Sequence, residues 1–102
     1  ENFRNSKTIF FTSGTMEYMP ESDIYKLFNL ISTRKETYLI MSEPVNINLE
    51  CDFKSNPRGG FAYSHNYLYA AKLSNLKIEK EEIHLSNEKL NLRIVNLLLC
   101  AN

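Results

Sequence analysis

The sequence is poor in the residues that mark several common classes of small protein. Only two of its 102 residues are cysteines, Cys51 and Cys100, and they are too far apart for a C-x-x-C motif. This argues against a disulfide framework or a metal site, and it favours free thiols in a reducing cytoplasm. Nor is one charge in excess, because 12 basic residues balance 12 acidic ones. We therefore expect neither nucleic acid nor an anionic membrane as a partner.

Long apolar runs are also missing. No segment approaches the roughly 20 apolar residues that a membrane-spanning helix needs, and the residues after Glu1 do not predict a signal peptide. What is present is a hydrophobic content of 43%, enough for a single globular domain over residues 1–102. An apolar run follows Glu1 closely, and we expect that a segment upstream is missing.

The apolar pattern of the first half predicts two strands joined by an amphipathic helix. Residues 8–11 and 37–41 are short, nearly continuous apolar runs, as expected of buried parallel strands. Pro20 and the acidic residues after it are typical of a helix start. The helix then has one apolar stripe, formed by Ile24, Leu27, Phe28 and Ile31. These elements predict a βαβ unit.

The second half predicts a different arrangement. An irregular stretch over residues 45–63 precedes a short helix at 65–74, with Ser64 as its N-cap. Residues 76–85 are half polar, as in an edge strand, and residues 90–101 are mostly apolar, as in a central one. Their short connection predicts an antiparallel hairpin. The expected fold is α/β: a partial Rossmann-like mixed sheet with the order β-α-β-loop-α-β-β.

Residues 8–20, TIFFTSGTMEYMP, carry a resemblance to a known family. They resemble the fourth strand and following loop of class I S-adenosylmethionine-dependent methyltransferases, where an apolar run precedes SxGxLEYLP or a close variant. Residues 37–44 look like the fifth strand, and the terminal hairpin looks like the sixth and seventh. In that family the last of seven strands is the antiparallel one and lies beside the fifth. The resemblance covers most of the chain.

The resemblance implies a cofactor and a reaction. The cofactor is S-adenosylmethionine, whose methyl group is transferred to a small-molecule acceptor, and RGGFAYSHNY resembles an insertion that shapes the acceptor pocket in relatives that include sugar methyltransferases. The family's glycine-rich turn is absent, since Gly14, Gly59 and Gly60 are the only glycines. The sequence therefore predicts the C-terminal half of such an enzyme, inactive by itself and binding the cofactor weakly or not at all.

The expected cofactor contacts are Thr12, Ser13 and Gly14. They end the first strand, and open α/β sheets bind their ligands at the carboxyl ends of strands. Gly14 permits a close approach or a positive φ. The alternative interpretation is an ordinary turn between a strand and a helix.

Two residues are candidates for catalysis. His65 is the first candidate for a general base, because imidazole titrates near neutral pH, and Glu17 is the second. The alternatives are a histidine that forms only local hydrogen bonds and a solvated carboxylate. No metal site is expected.

The expected acceptor site combines aromatic, amide and guanidinium groups, which suit a polar ring or a sugar. Its members are Arg58, Tyr63, Asn66 and Tyr67, with Glu43 at the end of the second strand. Glu43 would converge with Glu17 if the first two strands are parallel neighbours. The alternative for Glu43 is an exposed turn residue before Pro44.

A second class of function stays open: a non-catalytic α/β interaction module that completes its sheet by dimerisation. An apolar strand at an open edge invites pairing with another chain. We therefore expect either a homodimer or a missing N-terminal half.

Overall fold

The computed structural model describes residues 7–46 and 55–102. Its strands are β1 (Thr8–Ser13), β2 (Thr37–Val45), β3 (Ser55–Gly59), β4 (Ala62–His65), β5 (Leu76–Asn87) and β6 (Leu92–Ala101). Its helices are α1 (Glu21–Ser32) and α2 (Tyr67–Leu73), with a 3-10 turn at Met16–Tyr18. The described part of the chain contains no helix long and apolar enough to cross a membrane.

A mixed sheet of four strands in the order β1-β2-β6-β5 organises the described residues. β1 and β2 are parallel, whereas β6 is antiparallel to both of its neighbours. The predicted α/β class, the parallel start and the terminal antiparallel hairpin are therefore confirmed. The predicted edge position of β5 and central position of β6 are confirmed as well.

The helices cover one face of this sheet. In β2 the side chains alternate strictly, and those from Thr37 to Val45 that point towards the helices are buried. α1 contributes Ile24, Phe28 and Ile31 to the same core, as its apolar stripe predicts. On the opposite face of the sheet, Ile40 is 39% exposed and Phe11 69% exposed. The sheet therefore has one face packed against the helices and one face open to solvent.

The prediction of a buried first strand is wrong for the described residues. Ile9 is 61% exposed and Phe11 69% exposed, because β1 is an outer strand with β2 on one side only. Its apolar composition is typical of an interior strand. Among the described residues, however, no strand lies on its outer side.

Two further predictions need correction. The stretch 45–63 is not irregular throughout, since β3 and β4 form an antiparallel hairpin. Gly60 and Phe61 both have positive φ at its turn, which suits a tight hairpin, and Pro57 within β3 obscured the strand pattern. The second helix begins at Tyr67 rather than residue 65, and Asn66, not Ser64, is its N-cap. Ser64 and His65 belong to β4 instead.

Candidate functional site

The carboxyl ends of β1 and β2 lie side by side at one end of the sheet. Ser13 is the register partner of Ser42, and the N–H of Gly14 donates to the carbonyl oxygen of Ser42 at 3.0 Å. Gly14 has φ +62°, a left-handed conformation that glycine adopts without strain. This conformation turns the chain from β1 into the loop of residues 14–20, which we call the β1–α1 loop.

Glu43 is buried under the β1–α1 loop, with no exposed surface. Its Oε1 accepts a hydrogen bond from the Met16 N–H at 3.0 Å, and its Oε2 accepts one from the Thr15 N–H at 3.4 Å. Burial raises the pKa of the carboxyl group, and hydrogen bonds led by that from the Thr12 hydroxyl oppose the rise. Glu43 therefore satisfies the backbone at the start of the 3-10 turn, and its carboxylate points into the protein rather than towards an acceptor.

His65 is held from two sides and is 1% exposed. Its Nε2 lies 2.8 Å from the carbonyl oxygen of Met19, and its Nδ1 lies 2.6 Å from the Ser55 hydroxyl. Because a carbonyl can only accept, Nε2 carries the proton and donates, and Nδ1 accepts from the hydroxyl. His65 would have to exchange one of these partners before it could take a proton from an acceptor.

Glu43 and His65 thus hold the same loop at its two ends. Glu43 reaches the N–H groups at its start from β2, and His65 reaches the Met19 carbonyl at its end from β4. We call these two residues the loop clamp. A buried carboxylate and a buried imidazole, both fully engaged, fix the segment that connects β1 to α1.

The aromatic residues expected at the acceptor site surround His65. Tyr63 stacks on its ring with centroids 5.5 Å apart and an interplanar angle of 24°. Tyr67 meets it edge-on at 5.6 Å and 67°. Asn66 is buried, and its Oδ1 accepts from the Tyr69 N–H at 3.1 Å as the cap of α2. The side chain of Arg58 lies outside the described residues.

The three expected cofactor contacts lie together, but two of them are already engaged. The Thr12 hydroxyl takes part in the hydrogen bonding of the Glu43 carboxylate and lies 3.3 Å from Met16 Sδ, and the Gly14 N–H is bound to Ser42. Only the Ser13 side chain is exposed. This donor set does not by itself fit S-adenosylmethionine, which needs contacts along its adenosyl and carboxylate ends, so we derive no transfer step from this chain.

Glu17 stands beside this turn, with Oε2 3.4 Å from the position a Cβ on Gly14 would take. The backbone N–H of Glu17 contributes to the hydrogen bonding of the Glu43 carboxylate, and the convergence of the two carboxylates on one crevice stays a prediction. The two carboxylates differ in environment, because Glu43 is fully buried and Glu17 is half-buried. Of the two, Glu17 is better placed to meet a solute.

Sequence reasoning missed Ser55 and Met19, which form hydrogen bonds with the two ring nitrogens of His65. Ser55 lies in a stretch that shows no strand pattern, and the carbonyl of Met19 is a backbone group that no side-chain motif reveals. The burial of Glu43 was predictable from the sequence, because Glu43 continues the alternation of Leu39 and Met41 on the packed face of β2.

A groove of about 460 Å³ lies on the open face of the sheet, away from the loop clamp. Phe11, Ile40 and Leu98 form its apolar wall, and Ser42, Lys80 and Glu82 form part of its polar wall. The described ranges contain no group of three or more histidine, cysteine, aspartate or glutamate residues that could hold a metal ion.

No model of a known protein family matches the sequence, and no curated protein matches it either.

Proposed function

We propose that this chain forms the second half of a class I S-adenosylmethionine-dependent methyltransferase domain with a Rossmann-like sheet. One observation carries the proposal: the strand order β1-β2-β6-β5, in which β6 alone runs antiparallel to the other three. That family's last strand is antiparallel, lies beside the fifth and forms a hairpin with the sixth. β1, β2, β5 and β6 correspond to its fourth, fifth, sixth and seventh strands in both order and direction.

The loop region supports the same assignment. In the proposed enzyme, Ser13 and the backbone at Gly14 form one wall of the cofactor crevice at the carboxyl ends of the strands. The preceding half supplies the glycine-rich turn and the acidic residue that these residues lack. Its first strand lies along β1, which would cover the exposed side chains of Ile9 and Phe11.

The acceptor in this proposal is a small polar molecule such as a sugar. Glu17 is the group best placed to accept its proton, and Tyr63 and Asn66 belong to the wall that surrounds His65. Glu43 and His65 act through the loop clamp, holding the segment that carries Glu17. We place the enzyme in the cytoplasm, because the two cysteines suit a reducing compartment.

The experiment that tests the proposal is to read the coding sequence upstream of Glu1, express the longer protein and titrate it with S-adenosylmethionine by calorimetry. We expect a strand, a glycine-rich turn and a helix upstream, micromolar binding by the longer protein, and no measurable binding by residues 1–102. Gly14→Val should weaken binding at least tenfold, because a β-branched residue resists positive φ. Lys72→Ala on the exposed side of α2 is the matched control.

Micromolar binding by the 102-residue chain alone would overturn the division into halves. An upstream sequence with no strand and glycine-rich turn would overturn the enzyme assignment.

A second candidate is a non-catalytic interaction module that completes its sheet with another copy. The exposure of Phe11, at 69%, on an outer strand favours it. The two candidates separate in the same titration, because a module has no reason to bind the cofactor in any longer form.

A further inference from the structure

The outer edge of β1 presents a row of backbone groups to solvent. The Thr8 N–H donates to Glu36 O at 2.8 Å and the Gly14 N–H donates to Ser42 O at 3.0 Å, so both point towards β2. Because the direction of backbone groups alternates along a strand, the N–H and C=O groups of Ile9, Phe11 and Ser13 point away from the sheet. Among the described residues no strand lies on that side.

We propose that in the 102-residue chain this edge pairs antiparallel with the same edge of a second copy, with Phe11 on the twofold axis. This register places Phe11 opposite Phe11 and Ile9 opposite Ser13, so all three outward residues of each copy take part. It forms about six backbone hydrogen bonds in narrowly spaced pairs. A register centred on Ile9 or Ser13 would instead carry the pairing beyond the ends of β1.

The side chains suit this arrangement. β1 has no charged residue, so two copies meet without opposing like charges. Phe11, Ile9 and Ser13 share the open face of the sheet, where the two Phe11 rings would pack beside each other. A twofold axis perpendicular to the sheet keeps both helical layers on the same side, giving one continuous sheet of eight strands.

Pairing of β1 with β5 of another copy is disfavoured. β5 carries charged side chains along most of its length, and its pairing with β6 is interrupted between Ile78 and Lys80 and between Leu85 and Asn87. Such interruptions and charges hinder the addition of a strand. The contact therefore closes on itself as a dimer instead of continuing into a filament.

This inference does not depend on the enzyme assignment, and it gives a geometry to the second candidate function. In the proposed enzyme the preceding half would occupy the same edge, and a monomeric 102-residue chain would overturn the dimer while leaving the enzyme assignment untouched. The area that one short strand can bury lies at the low end for protein interfaces, so we expect a dissociation constant on the order of micromolar.

The first test is sedimentation equilibrium from 1 to 200 μM. We expect a mass approaching about 24 kDa, twice the 11.9 kDa of one chain. Ile9→Pro removes an outward N–H and should raise the dissociation constant at least tenfold. Ile9→Ala keeps the N–H and should raise it much less. Circular dichroism checks that both variants remain folded.

The comparison of the two variants separates edge pairing from stacking of the open faces. Stacking depends on the Ile9 side chain, so equal weakening by proline and alanine would overturn the proposal. A monomer at 200 μM, or assembly that grows beyond a dimer, would overturn it too.

The second test is a cross-link across the axis, in a chain with Cys51→Ser and Cys100→Ser. In the proposed register the two Phe11 Cα atoms lie about 5.5 Å apart, within the range that a disulfide spans. Phe11→Cys should therefore oxidise to a covalent dimer. Phe10→Cys is the control, because its two copies lie roughly 8 Å apart, and faster cross-linking by this variant would contradict the register.

Discussion

The sheet has two outer strands, β1 and β5, and their sequences differ in almost every feature that affects pairing. β5 places Lys80, Glu82 and His84 in solvent, and two irregularities interrupt its ladder. β1 reads TIFFTS, with no charge, no proline and an unbroken register against β2. Charges and bulges are the means by which natural sheets protect an edge from further strands.

The difference shows that only one of the two outer strands has a composition that suits the edge of a sheet. β5 has the composition of an edge and lies at an edge. β1 has the composition of an interior strand, yet Ile9 and Phe11 are more than half exposed. Both proposals for this protein place another strand beside β1: a strand of the preceding half in the proposed enzyme, and β1 of a second copy in the dimer.

The largest expected effect comes from proline substitutions whose missing N–H groups point to opposite sides of β1. Phe10→Pro removes an N–H that points towards β2 and leaves a carbonyl of the ladder unpaired, which should cost about 3 kcal/mol of unfolding free energy. Ile9→Pro removes an outward N–H and should cost less than about 1 kcal/mol in the monomer.

Urea unfolding followed by circular dichroism measures both variants, at a concentration below that at which the wild type dimerises. Equal losses of unfolding free energy would show that the outward and inward groups of β1 are wrongly assigned.

The next effect concerns the loop that anchors the carboxyl end of β1. Glu43→Ala leaves the N–H groups of Thr15 and Met16 without their acceptor and should cost about 2–3 kcal/mol. Glu43→Gln keeps one acceptor oxygen and should cost about 1 kcal/mol. Urea unfolding gives the free energies.

Hydrogen exchange locates the effect of these variants. We expect the Met16 amide to lose protection in the alanine variant and to keep most of it in the glutamine variant. Glu81→Ala, on the exposed β5, is the control and should change the unfolding free energy by no more than about 0.5 kcal/mol. An alanine variant as stable as this control would show that Glu43 does not hold the loop.

Most of the fold was predictable from the sequence because its signals are local. The acidic start and apolar stripe of α1 predicted where it begins and which face it buries, and the contrast between a half-polar and an apolar run predicted the positions of β5 and β6. The exposure of β1 was not predictable from its own residues. Burial depends on what lies beside a strand, and an apolar run specifies only what would suit it.

The candidate site was less predictable, because its residues act through backbone partners. The sequence indicated Glu43 and His65 as candidate site residues, but their hydrogen bonds go to the N–H of Met16 and the carbonyl of Met19. A motif records the type of a side chain, not the backbone atom it meets. The hairpin of β3 and β4, which places Ser55 against His65, also lacks a strand pattern.

The pH dependence of stability should report the burial of Glu43. Its pKa is raised above the ordinary value of 4.5 by burial, so the folded state holds its proton more tightly than the unfolded state does. The contribution of Glu43 to stability should therefore fall as the pH rises from about 4.5 through the raised pKa.

Urea unfolding midpoints between pH 4 and 8 measure this slope. Glu43→Gln cannot titrate and should remove the part of the slope that Glu43 contributes. An unchanged slope in that variant would assign the pH dependence to other carboxylates.

The smallest expected effect on unfolding free energy is at the β5 edge, where the triple variant Lys80→Thr, Glu82→Thr and His84→Thr removes an exposed ammonium group, an exposed carboxylate and an exposed imidazole. Exposed substitutions of this kind should change the unfolding free energy by about 0.5 kcal/mol or less each, although the β5 edge loses two of its exposed charges. We expect the variant to associate beyond a dimer, seen by light scattering at 100 μM. Asp23→Asn with Lys26→Gln on α1 also leaves the net charge unchanged and should scatter like the wild type. If the β5 variant scatters no more than this control, the protection of that edge does not depend on these three side chains, and the two ladder irregularities with the remaining charges are sufficient.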